Sequence, residues 1–128
     1  MLGLAHDERV AEHLRARTVV AQQAELELVL LRGTVLVEDI NPGYNFIYEV
    51  PNSSYPRSLM NVNGTLYFSA DDGSHGSELW KSDGTAAGTV LVKDIQTGGS
   101  GSSPANLTKF NGTLFFRADD GGHHSQLW

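Results

Sequence analysis

The chain has 128 residues, 40% hydrophobic and 19% charged, a globular composition rather than a disordered one. Its formal net charge of −6 repels phosphate backbones and excludes nucleic acid as a partner. The absence of cysteine excludes disulfides and thiolate metal sites, and no apolar run is long enough for a membrane span.

The N-terminal segment 1–24 is expected to be helical. Asp7 is placed to cap a helix from Glu8 to Gln22, with a loose apolar stripe of Val10, Leu14 and Ala21. It lacks the basic start and continuous apolar stretch of a signal peptide, so the sequence as written carries no export signal. "AELELVLLRG" then alternates, with Leu26, Leu28 and Leu30 on one side, and reads as a strand. Arg32-Gly33 would turn it into a second strand, Thr34–Ile40. Whether residues 1–32 form a cap over an open sheet edge or an unrelated start stays open at this level.

From Gly33 onward the sequence repeats. "NGTLYFSADDGSHGSELW" (63–80) recurs as "NGTLFFRADDGGHHSQLW" (111–128), an offset of 48 (111 − 63). "GTVLVEDINPG" (33–43) recurs as "GTVLVKDIQTG" (88–98), an offset of 55 (88 − 33). The seven-residue difference (55 − 48) is an insertion in the first copy, in the region 44–50. The first repeat thus spans 25–80 and the second 81–128. Asn63-Gly64 and Asn111-Gly112 are type I′ hairpin signals between alternating runs. Four strands per repeat are predicted: Ser58–Val62, Thr65–Ala70, Ser77–Ser82 and Thr89–Ile95. With 14 glycines for turns, this is an all-β chain of about two four-stranded propeller-like blades, a partial array.

"ELWKSDGTAAGTVLVKDI" followed by "GSSPANLTKFNGTLFFRADDG" resembles the ELWxxDGT-repeat family of bacterial proteins, over Gly33–Trp128. The resemblance implies propeller-like tandem repeats in large, often secreted proteins, located outside the cell or on its surface. It implies no established enzymatic activity. The first copy departs from the pattern, having no "ELW" and no "DGT" before Gly33. "KSDGT" is expected to follow Trp128, so the sequence is expected to be a piece of a longer array.

No catalytic, cofactor-binding or metal residue is assigned. Ser82, Asp83, Gly84 and Thr85 read as turn chemistry. Asp71-Asp72-Gly73 and Asp119-Asp120-Gly121 offer paired carboxylates but lack calcium-loop spacing, so they read as strand-exit turns. His75, His123 and His124 would bind zinc only if the two copies brought them together. A triad of Ser77, His75 and Asp72 lacks any supporting context. Asn63, Asn106 and Asn111 head glycosylation-type triplets, two of them explained by the hairpin turns. Trp80 and Trp128 share one repeat position and are expected to fill the space between adjacent blades. Tyr44, Phe46, Ile47, Tyr48 and Tyr55 make the insertion aromatic, either as a contact surface for a protein or glycan or as cover for a blade edge.

The function expected is that of a non-catalytic scaffold or binding segment. Its partners would be other repeats, itself, or a protein or glycan. The alternative is a fragment of a hydrolase-like propeller enzyme whose active site needs further blades.

Overall fold

Two Asn-Gly pairs set the outline of the fold. Asn63 and Gly64 have φ of 53° and 88°, and Asn111 and Gly112 have 49° and 76°. Positive φ at both central residues defines the type I′ turn, whose twist matches the strands it joins. The computed structural model describes residues 33–128, and chain contacts divide it into units 1–36 and 37–128. The helix expected at 8–22 and the strand expected within 25–32 lie outside the described residues.

All regular structure in the described residues is β. A small ladder joins β1 (Tyr44–Asn45) to β2 (Val50–Pro51). A four-stranded antiparallel sheet follows in the order β3 (Arg57–Val62), β4 (Thr65–Asp71), β5 (Ser77–Ser82) and β6 (Val90–Lys93). A three-stranded sheet is built from β7 (Ala105–Phe110), β8 (Thr113–Asp119) and β9 (Ser125–Leu127). The strand starts at 57, 65 and 77 recur at 105, 113 and 125, the same offset of 48 found in the sequence (105 − 57). The irregularities recur too. Both first strands carry a bulge, and the residue inside it, Ser58 or Asn106, has φ of 56°.

Thr34–Ile40 does not form the expected strand. Its repeat counterpart, β6, exists because it pairs with β5. No described strand offers Thr34–Ile40 such a ladder, and the partner expected for it, within 25–32, lies outside the described residues. β6 is also shorter than expected. Thr89 is drawn into the preceding turn, and Ile95 is drawn into the linker to the second sheet.

Strand alternation gives each sheet two distinct faces. The front of the first sheet carries Met60, Tyr67 and Leu79, and its back carries Phe68, Ala70 and Trp80. One core cluster joins the front of the first sheet to the back of the second through Leu79, Ile95, Leu107, Phe116 and Ala118. Lys93 also reaches the second sheet, its Nζ lying 5.7 Å from the centre of the Trp128 ring. A second cluster covers the back of the first sheet, where Phe68, Ala70 and Trp80 meet Ile40, Leu66 and Leu91. Trp80 lies on the face of the first sheet turned away from the second, where Ile40 covers it, while its repeat partner Trp128 lies on the back of the second sheet within reach of Lys93; Leu79 supplies the packing from the front of the first sheet. The reason is register. Trp80 lies opposite Phe68 and so shares the back face, while Leu79 lies opposite Ser69 on the front.

Candidate functional site

The polar residues of the "ELWKSDGT" stretch gather at two places, and both hold backbone. The first is Glu78, which is fully buried. Its carboxylate accepts the backbone N–H groups of Ile95 (3.2 Å), Gln96 (3.1 Å) and Ser102 (2.9 Å), and the Ser102 hydroxyl at 2.5 Å. A carboxylate is an acceptor with no proton to give, so it suits a loop that turns its amides inward. Glu78 thereby fastens β5 to both ends of the linker between the sheets. Ser103 N–H adds a bond to the Ser77 carbonyl at 3.0 Å, and Asp119 N–H one to the Ser102 carbonyl at 2.9 Å. Gly76 lets the linker approach, since a Cβ there would meet the Gly101 nitrogen at 2.6 Å.

The second place is the turn between β5 and β6. Asp83 Oδ1 accepts the Thr85 backbone N–H (2.9 Å) and the Thr85 hydroxyl (2.6 Å). These bonds, the hydroxyl first, hold the Asp83 carboxyl below its ordinary value. Thr85 Oγ1 accepts Gly88 N–H, and Thr89 Oγ1 donates to the Thr85 carbonyl at 2.7 Å. Ser82 and Thr89 hydroxyls meet at 2.7 Å in a buried pair, and Ser82 Oγ also accepts Gly84 N–H. Gly88 is required by the same geometry, because a Cβ would overlap the Asp83 carboxylate. Every polar side chain of "SDGT" is thus engaged with the turn itself.

The acidic turns form matched Asp–His pairs. Asp72 Oδ1 accepts the N–H groups of Ser74 and His75, both at 2.9 Å, and Oδ2 meets His75 Nδ1 at 2.6 Å. Asp120 repeats this with Gly122 and His123, its Oδ2 lying 2.7 Å from His123 Nδ1. Burial works to raise the Asp72 carboxyl, but the bonds from His75 and Ser74 outweigh it and leave it below its ordinary value. The His123 side chain holds Asp120 down to about 2. Each aspartate in turn raises its histidine above the ordinary imidazole value. Asp71 and Asp119 each cap the glycine two residues on, at 2.7 Å.

The residues drawn as a triad are only partly together. His75 meets Asp72, but the Ser77 hydroxyl bonds to Ser69 Oγ at 2.7 Å. Among the described residues no three His, Asp or Glu side chains converge on one point. His124 takes the place of Gly76 and keeps its positive φ, at 57° against 68°. Asn63 and Asn111 sit in the hairpin turns as read from sequence, and Asn63 Nδ2 donates to the Gly112 carbonyl at 3.1 Å, tying the two hairpin tips. Asn106 is the bulge residue of β7. In the insertion, Asn45 Oδ1 caps the turn by accepting the N–H groups of Ile47 and Tyr48. Phe46, Ile47 and Tyr48 are exposed at its tip, with Phe46 edge-on to Tyr44 at 5.4 Å.

Sequence reasoning gave Glu78 no task of its own. The available signal was a single acid directly before the apolar Leu79-Trp80 pair, matched in the second copy by the polar Gln126. Comparison with protein-family models, with curated proteins and with solved structures gave no match.

Proposed function

We propose that the chain is a non-catalytic β-repeat scaffold or binding segment of a larger bacterial surface or secreted protein, of the ELWxxDGT-repeat type with propeller-like sheets. The observation that carries this reading is the use made of the motif's polar groups. Glu78, Ser82, Asp83, Thr85 and Thr89 all bond to backbone or to each other, which leaves none of them aimed at a substrate. A catalytic acid, base or nucleophile needs a free face toward the reacting group. The exposed tip of Phe46, Ile47 and Tyr48 supplies the contact surface for a protein or glycan, since aromatic rings on a short capped hairpin bind at low entropic cost. Chromogenic ester, glycoside and phosphate substrates test the non-catalytic part. Turnover that disappears in Asp72→Asn or His75→Ala, with unchanged stability, would overturn it.

A further inference from the structure

The first repeat departs from the second most sharply in one neighbourhood. The insertion 44–50 belongs to the first alone, and just after it Tyr55 and Arg57 stand where the second has Ser103 and Ala105. The backbone does not call for this change, because Tyr55 and Ser103 share a left-handed conformation, with φ of 46° and 52°. A bulky aromatic residue is disfavoured in that conformation, so the turn does not account for the ring. The ring is 63% exposed.

The insertion and the two substituted residues surround one cleft. A space of about 320 Å³ is lined by Tyr48 and Tyr55, by Asn41, Asn45 and Asn52, and by Asp71. A recess of about 190 Å³ adjoins it across Tyr55 and Asp71 and reaches Arg57 and Ser77. The larger space lies at the low end of the range of small-ligand sites, about 300–1,000 Å³. All of these residues belong to the first repeat.

We propose that this cleft binds a neutral hexopyranose unit of a glycan. The inference rests on the binding-segment reading and names the class of ligand for it.

The wall 52–55 turns its backbone inward. Asn52 N–H donates to the Gly43 carbonyl at 3.1 Å, and the Ser53 carbonyl accepts Asn41 Nδ2 at 3.1 Å. The Ser54 carbonyl accepts Asp71 N–H at 2.8 Å, and Tyr55 N–H donates to Ser53 Oγ at 3.3 Å. An extended peptide is recognised through the free N–H and C=O groups of a strand edge, and here they are engaged within the wall.

Side chains are what the cleft offers. Asn45 Oδ1 accepts the Ile47 and Tyr48 N–H groups, which leaves its amide NH₂ to donate. Asn41 donates to Ser53, which leaves its Oδ1 to accept. Asp71 Oδ1 accepts Gly73 N–H, and among the described residues Oδ2 has no partner. Arg57 and Asp71 line one recess without forming an ion pair, since the ion pairs of the described residues are the two Asp–His pairs. A sugar hydroxyl both donates and accepts, so neighbouring hydroxyls of one ring can accept from Arg57 and donate to Asp71. The C–H face of the same ring packs on a tyrosine. An acidic sugar fits less well, because Asp71 shares the recess and the chain carries a net charge of −6.

The second repeat supplies the variants, since it folds with serine and alanine at these places. Tyr55→Ser and Arg57→Ala therefore remove the cleft's contacts without disturbing the sheet. The full chain, isotope-labelled, is titrated by NMR with the methyl glycosides of glucose, galactose and mannose. At least one should shift the side-chain amide signals of Asn41, Asn45 and Asn52 in a saturable way. Tyr55→Ser should weaken that binding about tenfold, with a melting temperature no lower than wild type. Arg57→Ala should weaken it severalfold, and methyl glucuronide should bind more weakly than methyl glucoside. No saturable shift with any of the three neutral glycosides, shifts confined to other parts of the chain, or a Tyr55→Ser chain that binds like wild type would each overturn the sugar cleft. Tighter binding of the glucuronide would overturn the neutral class. None of these results touches the non-catalytic scaffold reading, which stands or falls on the substrate tests.

Discussion

Glu78 offers the sharpest test of how the chain is held together. Glu78→Ala removes the partner of three backbone N–H groups and one hydroxyl at once. Ile95 and Ser102 are buried, so their amides cannot turn to water, whereas Gln96 is half-exposed and can. Two stranded donors at about 1–3 kcal/mol each give a loss of about 2–6 kcal/mol. Relief of carboxylate desolvation and water entering the vacated space lower this, to about 3 kcal/mol. Glu78→Gln keeps the shape and one accepting oxygen. The Ser102 hydroxyl can rotate to accept from the new amide, and one backbone N–H is left facing another, at a cost of about 1–2 kcal/mol. Both losses are large against a total stability of about 5–15 kcal/mol. Urea unfolding followed by tryptophan fluorescence gives the midpoints. Amide exchange locates the effect, and the Ile95 and Ser102 amides should lose protection first. A Glu78→Ala chain with a wild-type midpoint would refute the clamp, as would fast exchange at those amides in the wild type.

Other outcomes follow from the same contacts. Trp80→Ala should cost about 3–5 kcal/mol in denaturant unfolding, because the ring is packed among Phe68, Ala70 and Ile40. Thr89→Val should cost about 1–3 kcal/mol, since it strips the buried Ser82 hydroxyl and the Thr85 carbonyl of a partner. His75 and His123 should titrate above 6.5 by NMR, and Asp120→Asn should bring His123 back toward 6.5. The stability these histidines contribute is full below 6.5 and lost as pH rises through their folded values, and it is small because the His123 ring is exposed and the His75–Asp72 pair only partly buried. The share from Asp120 has the opposite sense, present above 3.8 and lost as pH falls toward about 2. Millimolar Ca²⁺ should leave the melting temperature of wild type and of Asp72→Asn/Asp120→Asn unchanged, and a calcium-dependent rise absent from the variant would reassign the acidic turns.

Much of the fold was legible because local rules and the repeat agreed. Asn-Gly fixed both hairpins, and alternation along Thr65–Asp71 told which residues share a face. The turn at Asp83–Thr85 was readable for the same reason, since its bonds lie within a few residues. Three features were not legible, and each depends on contacts distant in sequence. Which face of the sheet Trp80 takes follows from pattern, but what covers that face, Ile40 and Leu91, does not. The strand expected at Thr34–Ile40 needed a partner that composition cannot supply. Glu78 looked like one letter of a motif because its partners lie 17 to 24 residues away, in a glycine-rich linker with no pattern of its own.

The matching of the front of one sheet to the back of the next has a consequence for how such a chain grows. Each repeat carries both halves of the same contact, so an inserted copy covers as much apolar surface as it brings. The exposed remainder is set by the two terminal faces alone and does not increase with length. The apolar surface left exposed per residue would therefore fall with each copy added. The junction between these two sheets depends on Gly76, Glu78 and Leu79, and of these the second copy keeps only the leucine, as Leu127.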